Sequence, residues 1–329
     1  MADKKQDIID NLEKLRKKEI ADKQPYKARA YANVVKQLKQ MEGPITKYDD
    51  MKHISGVGKS IEMKIKELLE TGHLKQVDEY ESRPELKVIE SLLKIHAIGP
   101  AKAKQLVEEN GIRSIDDLKQ RPELLNDKQK IGLKYWEHFD TRIPRVEMEK
   151  HNEFIKDTIK KIDENYIVEL AGSFRRNEKD SGDIDVLITH PDGTIDHDEN
   201  FKKIIEAFVK SGYVTDIFAQ GPKKCLAVCK AKRHRTFRRV DFMMTHKNEF
   251  PFALLYFTGS GGFNVNMRNL AIEKGYSLNE YGLKCLRGPK EGDYVNAGFE
   301  SEKDIFDFLG IQYIPPNERT PVVAFQTKE

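Results

Sequence analysis

Asp183 and Asp185, in Gly182-Asp183-Ile184-Asp185, and a third aspartate, Asp241 in Arg239-Val240-Asp241-Phe242, restrict the fold more than anything else in this chain. Side chains alternate along a strand, so positions 183 and 185 share a face, and a third carboxylate can join them from a neighbouring strand. Magnesium is a hard cation, usually held by one or two carboxylates plus substrate phosphates. Two such ions about 3.5–4 Å apart stabilise both the attacking and the leaving oxygens of an in-line phosphoryl displacement. The spacing therefore suits a pair of Mg²⁺ ions, with Mn²⁺ as a substitute. Asp183 and Asp185 would bridge both ions, and Asp241 would complete the one that activates a hydroxyl. A lone Asp-x-Asp is more often a solvated turn, so the neighbouring residues decide.

Upstream stands Gly172-Ser173-Phe174-Arg175-Arg176, after an apolar run from Tyr166 to Ala171 that reads as a strand. A Gly-Ser turn opening a helix offers free backbone N–H groups and a hydroxyl to an anion. Ser173 and Arg176 are the side chains expected there. Gly182 is small enough to let backbone N–H groups crowd a phosphate beside Asp183. Arg145 is a further candidate for a triphosphate, or else a surface arginine after a proline turn. Strand, Gly-Ser turn, short helix and Gly-Asp-x-Asp strand together join a phosphate cradle to a metal-binding edge, which is what nucleotidyl transfer needs.

A chain of 329 residues calls for two or more domains. Ile8, Ile9, Leu12 and Leu15 recur at helical spacing, as do Tyr31, Val34, Val35 and Leu38. Ser82-Arg83-Pro84 reads as a linker, and Arg142-Ile143-Pro144-Arg145 as a boundary, because proline and its predecessor disfavour continued helix. The expected division is helical over 1–82 and 83–143, and mixed α/β over 144–248 and 249–329. Net charge is only +3, so any case for a nucleic-acid partner rests on where the charge lies. The densest basic stretch is Lys223, Lys224, Lys230, Lys232, Arg233, Arg235, Arg238 and Arg239, with no acidic residue between. Alone it would be a solvated surface; directly before Asp241 it suits primer and template phosphates, with salt-dependent binding.

Cys225, Cys229 and Cys285 have neither disulfide nor zinc-ligand spacing, which makes a reducing compartment the expectation. The N-terminus lacks the apolar core of a secretory signal and no stretch is long enough to span a bilayer. An intracellular protein with no membrane partner follows. Nucleus, mitochondrion, bacterial cytosol and virus-infected cytoplasm are not distinguished.

Three segments, GSFRRNEKDSGDIDVLITHP, RRVDFMM and YFTGSGGFNVNMR, closely resemble the family X DNA polymerases. The resemblance extends to KIGLKYWEHFDTRIPRVEM, LNEYGLKCL and SEKDIFDFLGIQY, and so covers almost the whole chain. It implies a multidomain α and α/β fold. In that fold a helical helix-hairpin-helix lyase domain and a helical duplex-binding segment precede a nucleotidyltransferase-type palm with a mixed sheet and an α/β nucleotide-selection segment. It implies no BRCT module.

Ile54-Ser55-Gly56-Val57-Gly58-Lys59-Ser60 and Ile95-His96-Ala97-Ile98-Gly99-Pro100-Ala101 resemble helix-hairpin-helix motifs, which hold nucleic-acid backbone without reading bases. Gly56, Gly58 and Gly99 let the hairpins approach a phosphate. Ala97 stands where the pattern prefers glycine. In the family such hairpins also hold Na⁺ or K⁺. The resemblance places Lys64 at a Schiff-base nucleophile, with Lys59, Lys66, Lys27 and Arg29 around a 5′-phosphate; the bland reading of Lys64 is a solvated helix face. Ser60, Met63 and Gln24 depart from the closest relatives.

Arg239 resembles an arginine near the primer terminus and Lys224 a template-side contact. Tyr256 and Phe257, with the turn at Gly259, resemble the wall against the sugar of an incoming nucleotide, although plain core packing would also explain two aromatics. Asn264 resembles the residue at the base minor-groove edge and Arg268 a template contact. Tyr281 resembles a residue that pairs near Arg268 during closure, or is a buried tyrosine. Gly261-Gly262 departs from the family, where a larger side chain packs against the incoming base.

The implied activity is a monomeric DNA-directed DNA polymerase that fills short gaps in base excision repair, with 5′-deoxyribose phosphate lyase activity. Its partners would be gapped or nicked duplex DNA, deoxynucleoside triphosphates and other repair proteins. The rival readings are a template-independent or low-fidelity nucleotidyltransferase of the same fold and a non-catalytic DNA-binding scaffold.

Overall fold

Amphipathic helices build the first part of the chain. The computed structural model describes residues 3–22, 24–232 and 234–328; Arg233 of the basic run, and Met1 and Ala2 of the segment read for a signal, lie outside the described residues. Two compact units are present, one of residues 1–94 and 98–124, the other of 95–97 with 125–329. In the first, α1 (Lys5–Ala21), α2 (Pro25–Gln40), α3 (Lys59–Thr71) and α4 (Lys75–Glu81) are followed by α5 (Pro84–Leu93), α6 (Pro100–Glu108) and α7 (Ile115–Lys119). The residues at helical spacing, Ile8, Leu12 and Leu15 of α1 and Val34, Val35 and Leu38 of α2, meet Ile61, Ile65 and Leu68 of α3 in one core. Pro25, Pro84 and Pro100 each open a helix, where the missing N–H costs nothing.

The two hairpin turns have the same backbone. Gly56 takes φ +84° and Ala97, its counterpart, φ +68°. Left-handed backbone suits glycine and strains a residue with a Cβ. Alanine in the second turn is thus a local cost.

The second unit begins with α8 (Asp127–Phe139), β1 (Ile143–Pro144), α9 (Arg145–Lys160), β2 (Ile167–Leu170), α10 (Gly172–Arg175), β3 (Asp180–Ser181) and β4 (Ile184–Thr189). It continues with α11 (His197–Lys210), β5 (Val214–Gln220), β6 (Lys224–Cys229), β7 (Arg238–Thr245), α12 (Phe250–Thr258) and α13 (Gly261–Glu273). The hairpin β8 (Tyr276–Asn279) and β9 (Gly282–Cys285) and then α14 (Glu302–Phe308) close it. The main sheet runs β2-β4-β7-β6-β5 and is mixed, because β4 and β7 are parallel while every other pair is antiparallel. Phe201, Ile204, Ile205 and Phe208 of α11 lie on one helical stripe and bury it against the sheet, each worth about 1.5–3 kcal/mol. Cys225 and Cys229, on β6, are buried free thiols. A second core joins Phe252 and Leu255 of α12, Phe263 and Met267 of α13 and Ile305 and Phe306 of α14.

Ala97→Gly should raise stability by about 0.5–1 kcal/mol, the relief of left-handed strain less the entropy glycine loses on folding. Denaturant unfolding of the full chain measures it, and a lower midpoint in the variant would show that Ala97 is not strained.

Candidate active site

Parallel pairing of β4 with β7 places Asp185 directly opposite Asp241, while Asp183 precedes β4 by one residue. Asp185 sits deep among protein atoms, with its carboxylate edge still open to a cavity of about 490 Å³. Burial, then the charges of Asp183 and Asp241, push its pKa up to about 7. Asp241 is also raised, by burial first and by Asp183, against the opposing pull of Lys224. Two basic side chains temper this repulsion. Arg239 donates to Asp183 at 3.1 Å and Lys224 lies 3.2 Å from Asp241.

Among the described residues no three His, Cys, Asp or Glu side chains are gathered to hold a metal ion. The expected closed trio is to that extent not met, since Arg239 and Lys224 engage two of its members. The donor set nevertheless fits a hard cation. Asp241 Oδ1 is buried without a hydrogen-bond partner, and the all-oxygen donors Asp183, Asp185 and Asp241 are the kind a hard divalent ion takes; such an ion would also relieve the burial and like-charge crowding that raise the pKa values of Asp185 and Asp241. Gly172, at φ +58°, makes room for Asp185: a Cβ there would strike the carboxylate oxygen Oδ2.

Ser173, Arg176 and Gly182 line the same cavity. The Ser173 hydroxyl bonds that of Ser181 at 2.8 Å, and Arg176 is held by Glu178 and by the Thr258 carbonyl at 2.6 Å. Arg145 is not brought to the cavity. Its guanidinium lies 4.6 Å over the Phe174 ring and donates to the Phe174 carbonyl at 3.1 Å, bracing the turn from behind. From this boundary segment it is Arg142, on the other side of Ile143-Pro144 and fixed by Asp180 at 2.7 Å, that lines the cavity beside Arg176. A Cβ at Gly182 would come within 3.1 Å of Arg142 Nη1. β1 pairs with β3, and this brings Arg142 beside Gly182.

Tyr256, Phe257, Gly259, Gly261 and Asn264 also line the cavity. Asn264 donates to the Tyr256 carbonyl at 2.7 Å and Arg268 lies 5.0 Å over the Tyr256 ring. Tyr281 is neither buried nor in this cavity. It is 47% exposed on the turn between β8 and β9 and lines a separate cavity of about 1070 Å³.

Family models cover the chain in order. A helix-hairpin-helix domain matches residues 3–74, the fingers domain of DNA polymerase lambda 90–140, the DNA polymerase beta palm 142–247 and the DNA polymerase beta thumb 253–320. The chain belongs to the family X DNA polymerases. Among its relatives, DNA polymerase lambda of Rattus norvegicus is 34% identical over 326 residues, 95% of this chain and 56% of that protein. DNA polymerase lambda of Arabidopsis thaliana is 28% identical over 305 residues, 88% of this chain and 57% of that protein. The chain thus spans a little over half the length of these two relatives of the family. Palm and thumb matches fall on the segments that supply the cavity walls.

The remaining residues singled out by resemblance to family X lie in the first unit. Gly58 caps α3, Lys59 and Ser60 form its exposed first turn, and Gly99 caps α6. Lys27 and Arg29 are exposed on α2. Lys64 is half-buried on α3 and donates to the Ser60 hydroxyl at 2.9 Å. Burial lowers its pKa; Lys18 and Lys27 act in the same direction, and Glu19 and Glu67 oppose. Lys66 is drawn to Glu62 at 2.7 Å.

Glu302 at the start of α14 holds the cradle to the C-terminal region. It takes both terminal nitrogens of Arg175 at 2.8–3.0 Å and Nη1 of the fully buried Arg319 at 2.6 Å. Burial opposes its charge, yet the two guanidiniums hold its carboxyl below the usual range. A lowered folded pKa means stability that is present above about pH 4.5 and lost as pH falls through the folded value. Glu302→Gln should cost about 3–5 kcal/mol at neutral pH by stranding Arg319. The deficit should narrow below pH 4.5. Denaturant midpoints at several pH values check this, and a deficit that stays constant down to pH 3 would remove the charge from the account.

Proposed function

We propose that this chain is a DNA-directed DNA polymerase that fills short gaps in base excision repair, and that its N-terminal helical region is a 5′-deoxyribose phosphate lyase. One observation carries the polymerase reading: Asp183 and Asp185 line one cavity with a Gly-Ser turn and two arginines, and Asp241 stands opposite Asp185 across the parallel strands. The substrates would be gapped or nicked duplex DNA and deoxynucleoside triphosphates, and the enzyme a monomer. Two Mg²⁺ ions, held by Asp183, Asp185 and Asp241, would supply Lewis-acid activation and charge neutralisation when bound. Arg239 and Lys224 would then be released from the carboxylates toward the phosphates of the duplex. Ser173, Arg176, Arg142 and the backbone at Gly182 would hold the triphosphate, acting by preorganised electrostatics. Tyr256 and Phe257 would bound the sugar, Asn264 would orient the nucleotide, and Arg268 would face the template.

The four-part division, 1–82, 83–143, 144–248 and 249–329, belongs to this reading, as does a Na⁺ or K⁺ ion at each hairpin. In the lyase region a lowered Lys64 pKa leaves more free amine to attack the C1′ aldehyde of an abasic 5′ end. No helix among the described residues is long and apolar enough to cross a membrane. A reducing intracellular compartment is part of the proposal.

Extension of a primer across a one-nucleotide gap with Mg²⁺ is the test. Asp241→Ala should lower the rate by roughly 10³-fold or more while gapped-DNA affinity changes less than about twofold. Full extension by the variant would sink the metal assignment, and extension of a single-stranded primer as fast as the gapped one would favour template-independent transfer.

Borohydride should trap wild type on a 5′-deoxyribose phosphate end and leave Lys64→Ala unlinked. The trapping rate should rise with pH to a midpoint below the ordinary lysine value. Equal trapping by both proteins would remove Lys64 from the nucleophile role.

A further inference from the structure

We infer that the C-terminal segment 319–328 is a strap that positions the nucleotide edge of the active site at Gly261-Gly262. This rests on the polymerase reading and deepens it. Gly259 and Gly261 line the cavity at this edge; between them the Ser260 side chain caps α13, which opens with two glycines. Glycine pairs leave a chain free to move. The strap takes up that freedom. The Arg319 carbonyl accepts from Ser260 N at 3.4 Å, the Pro321 carbonyl accepts from Asn266 Nδ2 at 2.9 Å, and the Pro321 ring lies over Gly262. A Cβ on Gly262 would come within 2.6 Å of Pro321 Cβ and 3.0 Å of its Cα, so a side chain at 262 and the docked strap exclude each other.

The strap is anchored at both ends. Arg319 is fully buried against Glu302 and the Ile314 carbonyl, and Phe325 packs against Phe263 at 5.7 Å. Beyond it, Gln312 N donates to the Gln326 carbonyl at 2.9 Å and Lys328 N to the Gly310 carbonyl at 3.1 Å. By contrast a Cβ on Gly261 would meet nothing within 4 Å, which leaves that residue facing the cavity without a side chain. Pro321 is therefore a positioning residue: it acts on the nucleotide through Gly262 and Asn266 at the start of α13, without belonging to the metal or phosphate machinery.

Pro321→Gly removes the ring, and Gly262→Ala pushes it away. Each should raise the KM for the incoming deoxynucleotide in gap filling by about tenfold, the size of effect of a small apolar contact in a pocket. The rate constant at saturation and the Kd for gapped DNA should change less than about twofold. Hydrogen exchange at the Gln312 and Lys328 amides should accelerate in Gly262→Ala, and the double variant should be no worse than Pro321→Gly alone. An unchanged nucleotide KM in Pro321→Gly, or a parallel fall of KM-independent rate, DNA affinity and thermal midpoint, would overturn the inference. If the wild type extends no primer, the polymerase reading fails; exchange that is equally slow in wild type and Gly262→Ala overturns the strap on its own.

Discussion

Crowding of like charge governs the second unit. Asp185 and Asp241 face each other across two parallel strands, with Asp183 at the edge, and burial raises the cost of keeping them ionised. A fold keeps such an arrangement only if cations attend it. Here Arg239 and Lys224 do so from the two strands next in the sheet, β7 and β6. The basic stretch before Asp241 thus has an inward role besides its outward one. Its alternation on β7 sends Arg238 to a buried bidentate pair with Glu147 and Arg239 to Asp183. Two consecutive arginines consequently do different work, one holding α9 to the sheet and the other tempering the site.

The same economy appears in the Gly-Ser turn. Arg175 and Arg176 are adjacent, yet Arg175 turns to Thr258 and Glu302 while Arg176 stays at the cavity. Glu302 receives Arg175 and Arg319 together, so a single buried carboxylate links the Gly-Ser turn, the first turn of α14 and the C-terminal segment. Because an unpaired buried charge is costly, the three elements depend on one another more strongly than their apolar contacts alone would require.

Much of this could be read in the sequence, and the exceptions share one cause. Strand alternation and the Gly-Ser turn are local patterns, and Asp183, Asp185, Ser173, Arg176 and Gly182 do line one cavity, whereas Asp241 comes opposite Asp185 only through the pairing of β4 with β7. The helices of the first unit were equally visible in Ile8, Leu12, Val34 and Leu38. No local pattern marks Arg142, which the sequence reading passes over for Arg145. Both flank Ile143-Pro144, and pairing of β1 with a two-residue strand 36 residues on, Ile143 opposite Ser181 and Pro144 opposite Asp180, decides which faces the cavity. Tyr281 failed in the same way, since a turn between two short strands sends it to another cavity. Ala97 could be seen to stand in a glycine position, but only the backbone shows that φ there is left-handed, the same as at Gly56.

The glycines at 261 and 262 make the point in its strongest form. Read along the chain they are a loss, a helix start without the side chains that would finish a wall. Read in space, the position at 262 is already filled by Pro321, and the loss has a counterpart almost sixty residues away. An unstrained side chain at 262 would need the strap removed, and the strap needs glycine at 262. Neither feature has a meaning alone, because each satisfies the packing requirement that the other creates. Position 262 and the C-terminal segment should therefore be treated as one unit, and a substitution at either judged by what it does to the other.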